Sequence, residues 1–120
     1  MLGTALDKAR DLGRLLGQTD EYKALERARE RVGEDRELVT LLNRLTELEH
    51  DIALTLQRGE TPAEEVSGEY ERAFSALQSS AVYQGLVAAQ SNFEKVLGRV
   101  NEEIAKGIEA GAQSRIILPS

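Results

Sequence analysis

Glu47-Leu48-Glu49-His50 carries the residue pair best suited to hold a transition metal. A Glu and a His three residues apart on a helix share a face, and helical di-iron bundles use that spacing. Such a centre takes two Glu-x-x-His motifs and two further Glu. This sequence has a single histidine, so only two copies together could complete the set. Position argues against it. The apolar seam around Leu41 and Leu45 marks the dry face of this helix, and at about 100° per residue Glu47 and His50 lie roughly 150° from it. They are expected to face water, with no metal between them.

Glu64, Glu65, Glu69 and Glu71 are the next concentration of oxygen ligands. A calcium site gathers its oxygens from a loop. On a regular helix these four spread over different faces, and the first two fall where the positive helix end favours acid. Nucleophilic catalysis needs a base beside the nucleophile, and the chain offers no cysteine and no Gly-rich phosphate loop. Without cysteine, disulfides and thiolate metal sites within the chain are excluded. No catalytic residue, cofactor site or metal ligand is expected, and the chain is not expected to be an enzyme.

The formal net charge is −6. Both halves of the chain are acidic, so neither is a basic arm of the kind that meets a phosphate backbone. Arg27, Arg29, Arg31 and Arg36 form the one Arg-rich stretch, interleaved with Glu26, Glu30, Glu34, Asp35 and Glu37. It reads as a solvated, self-paired surface, and direct nucleic-acid binding is not expected. No apolar run approaches the roughly 20 residues that span a bilayer. The N-terminus lacks the basic segment and apolar core of a signal peptide. The cytoplasm is the expected location, with no membrane contact.

These residues must be positioned by helices. Apolar residues recur every three or four positions almost throughout, and no segment alternates as a strand does. A first helix carries Ala5, Ala9, Leu12 and Leu16, with Thr4 suited to cap it and Gly17 to end it. Thr19 offers a second cap before Asp20 and Glu21, followed by Tyr22, Leu25, Ala28 and Val32, with a stop or kink at Gly33. Whether these are two helices or one kinked helix stays open. A third helix is expected from Glu34 or Asp35 to about Arg58. Its seam is Leu38, Leu41, Leu45, Leu48 and Ile52, and Gly59 suits the left-handed stop. Thr61-Pro62-Ala63-Glu64 predicts a capping box with Pro62 in the first helical position. The fourth helix carries Val66, Tyr70, Ala73, Phe74 and Leu77, and Ser79-Ser80 offers a new cap. The last helix is expected from about Ala81 to about Ala110, with a stripe from Val82 to Ile108. Gly107 and Gly111 fall on that stripe, and either admit a close helix neighbour or mark a fraying end. The fold class is all-α: a long antiparallel helical hairpin with shorter flanking helices, about five helices in all. The hairpin is expected to pair the third and fifth helices. Leu41, Leu45, Leu48, Ile52, Phe93, Leu97, Val100 and Ile104 should then pack together. Residues 1–113 read as one domain and 114–120 as a C-terminal tail without helical pattern.

The segment Leu12–Leu45, LGRLLGQTDEYKALERARERVGEDRELVTLLNRL, resembles the N-terminal half of the YlbF/YmcA family. The matching features are Leu12-Gly13, Asp20-Glu21-Tyr22-Lys23, Ala28 and Asp35-Arg36-Glu37-Leu38. The stretch AQSNFEKVLGRVNEEIAKGI, Ala89–Ile108, resembles the family's final helix. The resemblance implies an all-α fold of helical hairpin type, often dimeric, and a regulatory function without catalysis. Family members assemble with one another and with a third protein, and that complex supports RNA maturation by ribonuclease Y and so biofilm, competence and sporulation programmes. Some are thought to carry iron–sulfur clusters on cysteines. This chain has none, so that trait does not carry over.

The function expected is that of a non-enzymatic adaptor acting through protein–protein interaction. Family paralogues and an RNA-processing complex are its expected partners. The alternative is a stand-alone structural homodimer. A last helix of about 45 Å outruns a compact body of this length, so a homodimer is expected in either case. The candidate interaction surface is Ile104, Ile108, Ile116, Ile117 and Leu118.

Overall fold

The computed structural model describes the backbone of residues 1–117 and the side chains of residues 1–113. Five helices follow in order: α1 Leu2–Gly17, α2 Asp20–Glu34, α3 Arg36–Gln57, α4 Glu64–Gln78 and α5 Ala81–Ile117. Among the described residues there is no strand.

Local chemistry sets most of the boundaries. Thr19 Oγ1 accepts from the Tyr22 N–H at 3.2 Å and opens α2, with Asp20 and Glu21 in its first turn. α1 and α2 are therefore separate helices. Gly33 lies inside the last turn of α2, and the stop falls at Asp35, whose extended backbone lets its carboxylate cap Leu38 N–H at 3.0 Å and start α3. α3 ends in a Schellman turn. Gly59 takes φ 75°, its N–H reaches Leu56 O at 3.0 Å, and Glu60 N–H reaches Thr55 O at 3.1 Å. Glycine alone adopts that backbone without a Cβ penalty. Ser80 Oγ accepts from Tyr83 N–H at 3.1 Å and opens α5.

Three expected boundaries are corrected. α1 starts at Leu2, because Met1 O already takes the Ala5 N–H at 3.1 Å. Thr4 lies within the first turn and is not the cap. Thr61 and Pro62 do not begin α4, which starts at Glu64 with Ala63 at φ −60°, ψ 145° and no side-chain cap. The first helical acceptor is Ala63 O, which takes the Ser67 N–H at 3.1 Å, and residues 60–63 are non-helical chain joining the two helices. Finally, α5 does not stop near Ala110 but continues to Ile117, so no backbone break separates a tail at residue 114.

Packing gives the largest correction. α5 lies against α2, and α3 against α4; the expected hairpin of the third and fifth helices is not formed. Leu38, Leu45, Ala73 and Leu77 form one core, joined by Leu41, Leu42 and Tyr70. Leu25, Ala28 and Ala89 form the other, joined by Tyr22, Leu86 and Phe93. Val32, Val82 and Tyr83 reach the first core where the two helix pairs meet. Both pairs run antiparallel: Leu38 shares a core with Leu77 while Arg44 meets Glu69, and Tyr22 meets Phe93 while Val32 packs in the same core as Val82. The six-residue connection 58–63 returns α4 directly onto α3 and occupies its seam. α5 is left to cover the stripe of α2, where the small Ala28 and Ala89 let the two backbones approach.

Candidate interaction surface

The elements left over by that pairing carry the surface. α1 spans 16 residues and none is buried. Leu12 and Leu16 are half-covered, while Leu2, Leu6 and Leu15 are exposed. On α5, Val96, Leu97 and Val100 are half-covered, and every side chain from Asn101 to Gln113 is exposed. The stripe nevertheless continues through Ile104 and Ile108, the latter 68% exposed. Between α1 and α5 lies an open groove of about 710 Å³ lined by Leu12, Val96, Val100 and Ile104, with Arg99 and Glu103 at its rim. Gly107 and Gly111 meet nothing within 4 Å of an added Cβ, and the helix runs on through both.

Several charges of α1 and α5 are engaged within their own helices. Arg10 pairs with Asp7 at 3.8 Å, Arg14 with Asp11, and Lys106 with Glu103 at 3.3 Å. Such exposed i,i+3 pairs contribute little to stability, and they leave the apolar strip between them undisturbed.

The expected site residues are placed as follows. Ile104 and Ile108 lie on this uncovered stripe. Ile116 and Ile117 close α5, with side chains outside the described residues, and Leu118 lies outside them altogether. Glu47 and His50 are exposed on α3, and Glu47 accepts a hydrogen bond from Arg44 Nη1 at 3.0 Å. Among the described residues no group of His, Asp and Glu is arranged to hold a metal. Glu64 and Glu65 sit in the first turn of α4. Glu69 faces α3, where Arg44 Nη2 donates to it at 2.8 Å. That guanidinium holds the Glu69 carboxyl below the usual carboxylate range, and Glu69 and Glu47 in turn raise Arg44. Tyr70 donates to Glu49 at 3.3 Å, and desolvation, then the nearby carboxylate, pushes its phenol up.

Of the Arg-rich stretch, Arg29 pairs with Glu26 at 2.9 Å. Arg27 and Arg31 instead line a groove between α2 and α5 with Ala24, Ala28 and Gly85. Self-pairing thus describes only part of that stretch. The surface residues that sequence reasoning missed are Leu2 and Leu6. Both fall on the side of α1 that carries Ala5, Ala9, Leu12 and Leu16, so the signal was the full width of that apolar face.

Comparison with known proteins adds an independent finding. The family described as control of competence regulator ComK, YlbF/YmcA, matches residues 5–109. A UPF0342 protein of Lactobacillus acidophilus is 29% identical over 102 residues, covering 85% of this chain and 88% of that protein. A UPF0342 protein of Staphylococcus saprophyticus is 25% identical over 103 residues, 86% of this chain and 90% of its own. One from Halalkalibacterium halodurans is 23% identical over 108 residues, 90% and 93% respectively. The match runs from Ala5 on α1 to Glu109 on α5, so it takes in Leu6, Ile104 and Ile108 but not Leu2 or Ile116–Leu118.

Proposed function

The chain belongs to the YlbF/YmcA family, and from that premise we propose that it is a non-enzymatic regulatory adaptor that works by protein–protein contact. One observation supports this reading above the others: α5 keeps its apolar stripe through Ile104 and Ile108 after its own chain has stopped covering it. Apolar residues kept in register on an exposed helix are the material of an interface. The proposed surface is Ile104 and Ile108, continued by Ile116, Ile117 and Leu118.

The family description, control of a competence regulator, supports a regulatory role. The finer reading places the protein in an RNA-processing complex, with family paralogues as partners and the cytoplasm as location. Among the described residues no helix is long and apolar enough to cross a membrane. A net charge of −6 disfavours direct contact with a phosphate backbone, so any role in RNA handling passes through a protein.

Capture of the tagged chain from its native cell, scored for ribonuclease Y and family paralogues, tests the proposal. Specific recovery of either is expected. Recovery of neither leaves the stand-alone structural homodimer as the better reading. Turnover of a substrate, or tight RNA binding at physiological salt, overturns the adaptor.

A further inference from the structure

We propose that the groove between α2 and α5 is a docking site for an acidic amphipathic helix of a protein partner, held by Arg27 and Arg31. The inference rests on the adaptor reading for the class of partner. It assigns a surface apart from the stripe of Ile104 and Ile108.

The groove has a volume of about 560 Å³. Along α2 it is lined by Ala24, Arg27, Ala28 and Arg31, and along α5 by residues at helical spacing from Ala81 to Asn92. Among the described residues this lining holds the two cations and no carboxylate. In a chain of net charge −6 that is a local reversal of sign. The groove beside α1 differs, since there Arg99 shares the lining with Glu102 and Glu103.

Neither arginine is engaged within the chain. Ion pairs inside single helices join residues three apart, as in Arg29 with Glu26 and Arg44 with Glu47. Arg27 has Glu30 at that spacing and Arg31 has Glu34. Among the described residues neither takes that partner or any other acid; both line the groove instead. Like charges four residues apart on a helix oppose each other, and bound carboxylates relieve that repulsion. A guanidinium suits the task because its fork of N–H donors matches a carboxylate.

The floor selects a helix. Ala24, Ala28, Ala81, Gly85, Ala88 and Ala89 make up most of the lining, and the distance between packed axes falls as the side chains at the contact shrink. A Cβ added at Gly85 meets nothing within 4 Å, so the space above it is open. From Ala81 to Asn92 the floor runs roughly 16 Å at 1.5 Å per residue, about three turns. Arg27 and Arg31 stand one turn apart, so two acids one turn apart on the docked helix meet both. A nucleic acid suits the groove less. The lining offers no aromatic ring on which a base could stack, and two cations provide few phosphate contacts against a net charge of −6.

Fluorescence anisotropy with the full chain tests this. The probe is a labelled peptide of about four helical turns, with Ala and Leu on one face and Glu one turn apart along its edge. A twin peptide carries Lys in place of Glu. The wild type is expected to bind the Glu peptide, more weakly as salt rises, and not the Lys peptide. Arg27→Glu and Arg31→Glu in one chain should weaken the Glu peptide about tenfold or more and take up the Lys peptide instead. Both positions are exposed, so the fold is expected to survive, and circular dichroism checks it. Gly85→Leu fills the open space and should abolish binding without changing charge. No binding to the wild type, or an affinity for the Glu peptide unchanged in either variant, overturns the proposal. Single-stranded oligouridylate that binds the wild type more tightly than the Glu peptide, and is lost with the two arginines, overturns it in favour of a nucleic-acid site. Equal recovery of ribonuclease Y or a paralogue by the wild type and the Arg27→Glu, Arg31→Glu chain would overturn the groove and leave the adaptor standing. Groove-specific binding of the Glu peptide with neither protein recovered would support the groove and overturn only the adaptor.

Discussion

Tyr22 on α2 and Phe93 on α5 meet edge to face, with ring centroids 5.2 Å apart and planes at 63°. This contact fixes the partner of α5, because Phe93 reaches Tyr22 and Leu25 and not the leucine seam of α3. Edge-to-face pairs contribute about 0.5–1.5 kcal/mol beyond area burial. A double-mutant cycle with Tyr22→Leu and Phe93→Leu, followed by urea unfolding, should return a coupling in that range. A coupling near zero would remove the pair as the link between the two helices.

Leu45 is 5% exposed and sits in the core shared by α3 and α4. Leu45→Ala should cost about 2–5 kcal/mol, the ordinary cost of emptying a buried leucine site. Ile52→Ala, at a half-covered position of the same seam, should cost clearly less. Chemical denaturation of the two variants compares them directly. Equal losses would show that the end of α3 is as well packed as its middle.

The helices were legible because their signals are local. Thr19, Asp35, Gly59 and Ser80 each act on a backbone group within a few residues, and each is found at a helix end. The pairing was not legible. A three-four repeat states that Leu41 and Leu45 need a neighbour, and says nothing of whether Ala73 or Phe93 supplies it. Connection length decided that, through residues 58–63. Pro62 misled because residue type alone does not set the start: it suits a first helical position, but the first helical acceptor here is Ala63 O. At the candidate surface, Ile104 and Ile108 were legible as stripe residues beyond any plausible cover. The exposure of α1 was not, since the repeat of Ala5, Ala9, Leu12 and Leu16 does not say whether another helix covers it, and in the fold none of its residues is buried.

Arg44 bridges the α3–α4 pair through Glu69 and also takes Glu47 on its own helix. Glu69 has its carboxyl lowered from an ordinary value of 4.5, chiefly by the Arg44 hydrogen bonds. A carboxyl lowered in the folded state stabilises above its unfolded pKa, and that stability is lost as pH falls through the folded pKa. The difference in unfolding midpoint between wild type and Arg44→Ala should therefore be constant from neutral pH down to about 5. It should then shrink below Glu69's ordinary value. Both side chains are well exposed, so the difference should be small and should fall further in high salt. Urea titrations at a series of pH values check this. A difference that grows on acidification would contradict the assignment.

Cutting the chain after Gly111 separates the two roles given to the end of α5. Ile104 and Ile108 remain, and with them the stripe expected to meet a second copy. Ile116, Ile117 and Leu118 are removed, an apolar group next to Pro119. If these residues hold the regulatory partner, the truncated chain should keep the double mass and most of its helicity while losing ribonuclease Y or the paralogue in capture experiments. If they instead complete the contact between copies, the cut should lower the thermal midpoint and release single chains, because a helix stripped of part of its cover frays inward from the new end. Scattering, circular dichroism and capture on the same preparation distinguish the two. A truncated chain that keeps its mass, its midpoint and its partner would remove the last residues of α5 from the interaction surface.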